Sequence, residues 1–173
     1  MLHSSEDLNR LIENELIDFV FQPIIDVESQ TVYGYEMLMR PKMENLKTPS
    51  EVLRIARAQS RLYQIERLTW FKAMEAVDRY HQRLQGKKLY DSRAIGPEDL
   101  EELDRLYGRY NSQVVIELTE SEKMGEMATI HKRQRCIDQH QEIALDDYGT
   151  GYNGEATLLD LMPNYVKVDM SII

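Results

Sequence analysis

The chain has 173 residues, of which 42% are hydrophobic and 29% are charged, values typical of one soluble globular domain with a single core. Its formal net charge of −9 argues against non-specific binding to DNA or RNA polymers and to anionic membranes, although metal ions would still allow an anionic ligand. The single cysteine, Cys136, excludes an internal disulfide and a cysteine-only metal site. Because no apolar run approaches about 18 residues and no signal-peptide pattern is present, we expect a cytoplasmic protein without membrane insertion.

The first half of the chain predicts a short helix, a pair of strands and a long helical region. The strands follow from β-branched and aromatic residues on both sides of a polar turn, and Pro23 predicts an edge position or a local break in pairing. Apolar residues at helical spacing predict the helical region, which is interrupted near Ser60 and closed by Gly86. The predicted elements are a helix over 4–15, strands over 17–27 and 32–39, and helices between 48 and 86.

The second half of the chain alternates between helical and extended patterns. From residue 110 onward the order is strand, helix, strand, helix, strand, which calls for parallel strands joined by right-handed crossovers. The predicted elements are helices over 97–106, 126–139 and 155–161, and strands over 114–118, from 143 onward, and over 165–168.

The stretch Ile143–Tyr152, IALDDYGTGY, carries the strongest chemical signal. Its short apolar run predicts a buried strand, and Asp146 and Asp147 follow at the carboxyl end, where ligands collect in α/β proteins. Burying unpaired carboxylates is costly, so one or two divalent cations beside them are the economical explanation. The alternative is that Asp147 caps the next helix while Asp146 pairs with a lysine or arginine.

Acidic residues also recur at the ends of other predicted strands. The second strand gives Glu36, the 114–118 strand gives Glu117 and then Glu120, and the last strand gives Lys167. Such residues would converge on one mouth of a sheet or barrel, and hard oxygen ligands suit Mg²⁺ or Mn²⁺. Two such ions are the usual device for attack on a phosphodiester, with a lysine beside the water. The plainer explanations are that Glu117 is a solvated strand end and that Lys167 pairs with Asp146.

Five ordered motifs resemble those of the EAL family, whose members are bacterial cyclic-di-GMP phosphodiesterases. The tripeptide Glu-Ala-Leu that names the family reads Glu36-Met37-Leu38 here, with methionine in the variable middle position. The resemblance extends from Ile17 to Ile173. The motifs are Gln22-Pro23-Ile24, Tyr35 to Arg40, Glu117 to Glu120, Asp146 to Gly151, and Val166 to Asp169.

The resemblance implies a fold and an activity. The fold would be α/β, a TIM-like (β/α) barrel with an antiparallel first strand. We expect a single domain over residues 1–173, with an N-terminal helix over 1–15 and a barrel over 16–173 that is incomplete at its C-terminal end. The implied activity is hydrolysis of cyclic-di-GMP to linear pGpG with Mg²⁺ or Mn²⁺, at a two-metal site in the complete domain, with a homodimer as a candidate assembly.

The resemblance also implies roles for individual side chains. Lys167 would sit beside the attacking water, so Lys167 and Glu36 are the expected catalytic residues. Arg40 would contact a ligand phosphate. Glu120 would stabilise the loop after the Asp-Asp pair, which the family links to metal occupancy and dimerisation. The expected metal ligands are Glu36, Glu117, Asp146 and Asp147, and the expected substrate-binding residues are Gln22 and Arg40.

Two departures from the family pattern stand out. Between Gly86 and Pro97, similar proteins carry a strand ending in a metal-binding Asn and then a Ser-Xaa-Pro turn. The segment here, KKLYDSRAIGPEDL, contains no Asn and is several residues too short for both, which leaves Asp91 as a substitute oxygen ligand. The chain also ends after the sixth strand of the family fold, without its Glu-Gly-Val-Glu strand. We expect either that residues of a longer protein are missing or that another chain covers the open strand edge.

Two functions remain open from the sequence, and a third explanation is weaker. The first is the phosphodiesterase, which the intact acids and Lys167 favour. The second is a degenerate EAL module that binds cyclic-di-GMP or a protein partner without cleaving it, which the missing Asn and the missing C-terminal Glu favour. An unrelated TIM-barrel metalloenzyme would require five motif matches by chance.

Overall fold

A computed structural model describes residues 2–91, 97–119, 126–149 and 154–172. Over these residues the chain forms six α-helices and six β-strands, which confirms the predicted α/β class. The chain divides into two compact units. The first unit comprises Met1–Lys87 and Arg93–Tyr107, and the second comprises Lys88–Ser92 and Gly108–Ile173.

The first unit contains an antiparallel pair of strands, β1 (Ile17–Ile25) and β2 (Val32–Pro41). Pro23 lies opposite Tyr35, and the register shifts just after it, between residues 24 and 25. Within the described chain β1 is hydrogen-bonded to β2 alone, so both features predicted from the proline are present. The antiparallel first strand of the predicted fold is therefore confirmed.

Four helices complete the first unit: α1 (Leu2–Glu13), α2 (Pro49–Ala58), α3 (Leu62–Leu84) and α4 (Pro97–Tyr107). The predicted interruption near residue 60 separates α2 from α3, and Ser60 itself adopts a φ of +54°. Gly86 follows α3 at a φ of +71°, a left-handed conformation that glycine adopts without steric cost. The core of this unit is apolar and includes Leu8, Leu11, Val52, Ile65, Trp70 and Val77.

A buried carboxylate joins two helices of the first unit. Asp99 of α4 accepts a hydrogen bond of 2.6 Å from the Tyr63 hydroxyl and one of 2.8 Å from the Arg67 guanidinium, both on α3. Arg67 also forms an ion pair with the partly exposed Glu102. Because Asp99 is buried and satisfied from two directions, it fixes the position of α4 on α3.

The second unit is a parallel sheet of four strands in chain order: β3 (Lys88–Asp91), β4 (Val114–Thr119), β5 (Glu142–Tyr148) and β6 (Tyr165–Val168). Helix α5 (Glu126–Asp138) lies between β4 and β5 in the chain, and helix α6 (Gly154–Leu161) lies between β5 and β6. The predicted parallel arrangement is confirmed. Cys136 is buried in α5, as expected for a small structural side chain.

The segment after Gly86 is predicted to be too short for both a strand and a turn, and the structure shows its strand. Lys88–Asp91 pairs with β4 over three register positions. A strand this short is stable because its neighbour supplies the hydrogen bonds and because Leu89 and Tyr90 are buried. Residues 92–96, where the turn was considered, lie outside the described residues.

Candidate functional site

The register of the second unit decides which side chains share a face of its sheet. Glu117 on β4 lies opposite Ala144 on β5, and Ala144 lies opposite Tyr165 on β6. Register partners in parallel strands project to the same side, and the side alternates along each strand. Glu117, Asp146, Tyr165 and Lys167 therefore share one side of the sheet, which we call the Lys167 face.

Lys167 brings two of the predicted metal ligands together. Its Nζ donates a 2.7 Å hydrogen bond to Glu117 Oε1 and lies 3.3 Å from Asp146 Oδ1. The Glu117 side chain is only 1% exposed, whereas that of Lys167 is 30% exposed. A buried carboxylate needs a nearby positive charge, and Lys167 supplies it. The alternative of a solvated Glu117 is wrong, and the predicted pairing of Lys167 with Asp146 is present.

Asp147 lies beside this cluster in an unusual backbone conformation. Its φ is +55°, and its backbone N–H donates a 3.0 Å hydrogen bond to Asp146 Oδ1. Burial raises the pKa of Asp147, and the neighbouring charges of Asp146 and Asp169 raise it further, while Lys167 partly opposes them. An added cation would favour the charged form of Asp147, because it would offset the repulsion from the other two acids.

The Lys167 face offers two carboxylates, those of Glu117 and Asp146, to a divalent cation. One carboxylate from β4 and one from β5 lie beside the Lys167 ammonium. Carboxylate oxygens are ligands that Mg²⁺ and Mn²⁺ prefer. Among the side chains that the structure describes, no group of three acids, histidines or cysteines could hold a metal ion. A divalent cation at this point would compete with Lys167 for Glu117 and Asp146.

Three other predicted site residues belong to the first unit, where they share a face of the β1–β2 pair. Gln22 lies opposite Glu36 in the antiparallel register, and Arg40 follows Glu36 by four residues. Even-numbered residues of β2 project to one side, so the three side chains lie on the same face. Gln22 and Arg40 are exposed and Glu36 is partly buried, while Arg40 Nη1 donates to the Met39 carbonyl at 2.9 Å. Glu120 lies outside the described residues.

Two tyrosines on the Lys167 face were not anticipated. The rings of Tyr90 on β3 and Tyr165 on β6 meet edge to face, with centroids 5.6 Å apart. The Tyr165 hydroxyl donates a 2.8 Å hydrogen bond to Glu142, which also pairs with Lys88 at 2.8 Å. The spacing Lys88 to Tyr90 and Tyr165 to Lys167 is the strand period of two, and this was the signal in the sequence that could have identified the cluster.

The family model for the EAL domain matches residues 5–173. The chain belongs to the EAL domain family. This EAL domain is 28% identical over 183 residues to a probable cyclic di-GMP phosphodiesterase of Escherichia coli (strain K12), PdeG, with 97% of this chain and 35% of that protein covered. The chain spans 22–35% of the length of the curated relatives it matches.

Solved structures agree on the fold of this EAL domain. A manganese and cyclic-di-GMP complex of Klebsiella pneumoniae BlrP1 superposes with a TM-score of 0.75 at 23% identity, covering 91% of this chain and 41% of that chain. The PaMucR phosphodiesterase in complex with cyclic-di-GMP gives a TM-score of 0.78 at 21% identity, covering 96% and 72% of the two chains. At these identities the likeness concerns the fold. The fold of EAL domains is a TIM-like barrel, so the predicted family and fold are confirmed.

None of the helices in the described ranges is both long enough and apolar enough to cross a lipid bilayer.

Proposed function

We propose that this EAL domain binds cyclic-di-GMP in the cytoplasm and hydrolyses it to linear pGpG with Mg²⁺ or Mn²⁺. The observation that carries the proposal is the position of Lys167 between Glu117 and Asp146. A buried carboxylate, a second carboxylate and a lysine meet near the carboxyl ends of three parallel strands, which is where catalytic groups collect in barrels. Family membership supplies the substrate class.

In this proposal the residues of the Lys167 face hold and balance charge. Glu117 and Asp146 are ligands of a divalent cation, and Asp147 contributes a further carboxylate. The cation, when bound, supplies Lewis acidity toward a phosphodiester and activates the attacking water. Lys167 then carries its positive charge toward the reacting phosphate, where negative charge develops in the transition state.

The residues of the β1–β2 face complete the proposal. Glu36 is proposed as a further metal ligand, Arg40 as a contact to a phosphate of the ligand, and Gln22 as a second substrate-binding residue. Glu120 stabilises the loop after the Asp-Asp pair. Arginine suits the phosphate role because its planar guanidinium offers two parallel donors to one phosphate group.

The test is direct measurement of pGpG release from cyclic-di-GMP in the presence of Mn²⁺. The Glu117→Gln variant should lose at least about 100-fold in turnover, because a carboxylate aimed at the cation is worth most in the transition state. The matched control is Lys42→Gln, which breaks an exposed ion pair with Asp18 and should retain full activity. Turnover by Glu117→Gln at the unaltered rate, with the fold intact by circular dichroism, would refute the assignment of Glu117.

A second candidate function is binding of cyclic-di-GMP without cleavage. The observation that favours it is that Lys167 already occupies the carboxylates a cation would need. Isothermal titration separates the two candidates when it is combined with the pGpG assay. Cyclic-di-GMP that binds stoichiometrically with Mn²⁺ present and is recovered intact would favour the binding module.

A further inference from the structure

Strand β3 presents a different residue to the Lys167 face from the one the sequence suggested. Tyr90 lies opposite Val115, and Asp91 lies opposite Ile116. Val115 is two residues before Glu117 and so shares its face, whereas Ile116 projects to the other side. The register therefore places Tyr90 on the Lys167 face and Asp91 on the opposite face of the sheet.

Contacts across the sheet support the same orientation independently of the register. Tyr90 and Tyr165 belong to strands separated by β4 and β5, and their rings still meet at 5.6 Å. Lys88, two residues before Tyr90, forms its ion pair with Glu142, and Glu142 also accepts from the Tyr165 hydroxyl. Contacts that link β3, β5 and β6 in this way require the side chains to lie on one face.

Asp91 is buried, with 1% of its surface exposed, yet it does not share this face. A shift of one residue in a strand exchanges the two faces of the sheet. The register of β3 therefore places Asp91 on the face opposite Glu117 and the Tyr90 ring on the same face as Tyr165.

Strand β6 is held by its backbone pairing with β5 and by side-chain contacts on the Lys167 face. It is four residues long, and Val166 and Val168 are each roughly half exposed. Tyr165 is held by the Tyr90 ring and by Glu142, and Lys167 follows two residues later on the same face. The Tyr90–Tyr165 contact therefore acts on the same strand and the same face as Lys167, whose ammonium lies against Glu117 and Asp146.

We infer that Tyr90 is a positioning residue for Lys167, acting through Tyr165, and that Asp91 is not a ligand of the divalent cation. The inference deepens the proposed function and rests on it for the identity of the ligand. It assigns to β3 an aromatic support for Lys167 where the sequence suggested an oxygen ligand. The carboxylates that the second unit offers a cation, among its described residues, then come from β4 and β5.

The test is a double-mutant cycle between Tyr90 and Lys167. Affinity for cyclic-di-GMP is measured by isothermal titration in the presence of Ca²⁺ for the wild type, Tyr90→Ala, Lys167→Met and the double variant. Tyr90→Ala should weaken binding about 5–10-fold when Lys167 is present and less than about 2-fold when it is absent, because contacting groups couple and independent ones do not. Tyr90→Phe should restore wild-type affinity, since the ring makes the contact.

Asp91→Asn supplies the second arm of the test, with Mn²⁺ alone as the probe. Its Mn²⁺ affinity should stay within about 2-fold of the wild type, whereas Glu117→Gln should lose about 10-fold or more, since Glu117 is a proposed ligand and Asp91 is not. A comparable loss in Asp91→Asn would overturn the inference. An equal effect of Tyr90→Ala with and without Lys167 would also overturn it.

Urea unfolding of the same four proteins of the cycle keeps the inference testable if cyclic-di-GMP does not bind. Absence of binding by the wild type would refute the proposed function alone. The Tyr90 and Lys167 changes should still be non-additive in the free energy of unfolding, and strict additivity would refute the positioning role.

Discussion

Glu117 is the buried charge on which the proposed site depends. It lies on the second strand of the parallel sheet, and the Lys167 ammonium donates a hydrogen bond of 2.7 Å to its carboxylate. Such a pair contributes little net stability compared with an apolar pair of the same shape, but removing one member leaves the other uncompensated. The arrangement is therefore better explained by a requirement for charge at this point than by a requirement for stability.

The Glu117→Gln change should lower the free energy of unfolding by about 2 kcal/mol, since Lys167 loses its nearest carboxylate but keeps Asp146 and partial access to solvent. Urea denaturation at neutral pH measures this. Lys42→Gln is the control, because its ion pair with Asp18 joins an exposed lysine to a partly exposed carboxylate and its loss should change stability by less than about 0.5 kcal/mol. If Glu117→Gln and Lys42→Gln lower the free energy of unfolding equally, the buried pair does not contribute more than the pair of Lys42 with Asp18.

At the scale of elements, helix α2 shows how a few local residues fix a boundary. Thr48 accepts a hydrogen bond from the Glu51 backbone N–H, and the Glu51 carboxylate accepts in return from the Thr48 backbone N–H. Pro49 at the first helical position needs no hydrogen-bond acceptor. These three features together satisfy donors that a helix start otherwise leaves unpaired.

Replacing Thr48 with alanine should destabilise the chain by about 1 kcal/mol, because the side-chain acceptor for the first turn is lost. Thermal and urea unfolding both report the change. Ser50→Ala is the matched control: Ser50 is an exposed residue of the same turn, and its replacement should cost less than about 0.5 kcal/mol. A Ser50 variant as unstable as the Thr48 variant would show that the cap is not responsible.

The same cap predicts a dependence on pH. The hydrogen bond from the Thr48 backbone, followed by that from the Thr48 side chain, lowers the pKa of Glu51 below its ordinary value of 4.5. A lowered pKa means that the contribution to stability is complete above pH 4.5 and is lost as the pH falls through the folded-state pKa. The difference in the free energy of unfolding between wild type and Glu51→Gln should therefore shrink in urea titrations below pH 4.5. A difference that stays constant with pH would contradict this role of the Glu51 carboxylate.

Most elements could be predicted from the sequence because their periodicity is long or their boundaries carry Gly and Pro. The helices over 49–58 and 62–84 and the strand Tyr165–Val168 are where the pattern placed them. The strand Lys88–Asp91 could not be predicted, since four residues carry too little periodicity and its hydrogen bonds come from a neighbour distant in sequence.

The site residues also differ in how far the sequence predicts them. Motif spacing identified Glu117, Asp146 and Lys167, and the structure brings these three together. The face on which Asp91 projects depends on strand register, which a single-residue shift reverses and which local sequence does not determine. The contact of Tyr90 could not be predicted for the same reason. Its partner Tyr165 lies on β6, which is separated from β3 by β4 and β5.

At the scale of the whole molecule, an exposed apolar surface on the second unit bears on assembly. Val166 and Val168 project away from Lys167 and are roughly half exposed, while Leu159 of α6 is 77% exposed. Among the described strands β6 is hydrogen-bonded to β5 alone. An unpaired strand edge next to exposed aliphatic side chains favours association with another polypeptide, and a second copy of the chain is always available as that partner.

A protein of residues 1–173 should therefore self-associate as its concentration rises, because covering these side chains removes apolar area from water. Sedimentation velocity over a range of concentrations measures this. Combining Leu159→Glu with Val166→Glu should weaken association at least about 10-fold, since two charges would have to be desolvated at the contact. The control is Val27→Glu in the first unit, where a valine that is 88% exposed lies outside the proposed contact and its replacement should leave association unchanged. If the chain stays monomeric throughout, or if Val27→Glu disrupts association as strongly as the double change, then β6 and α6 do not form the contact.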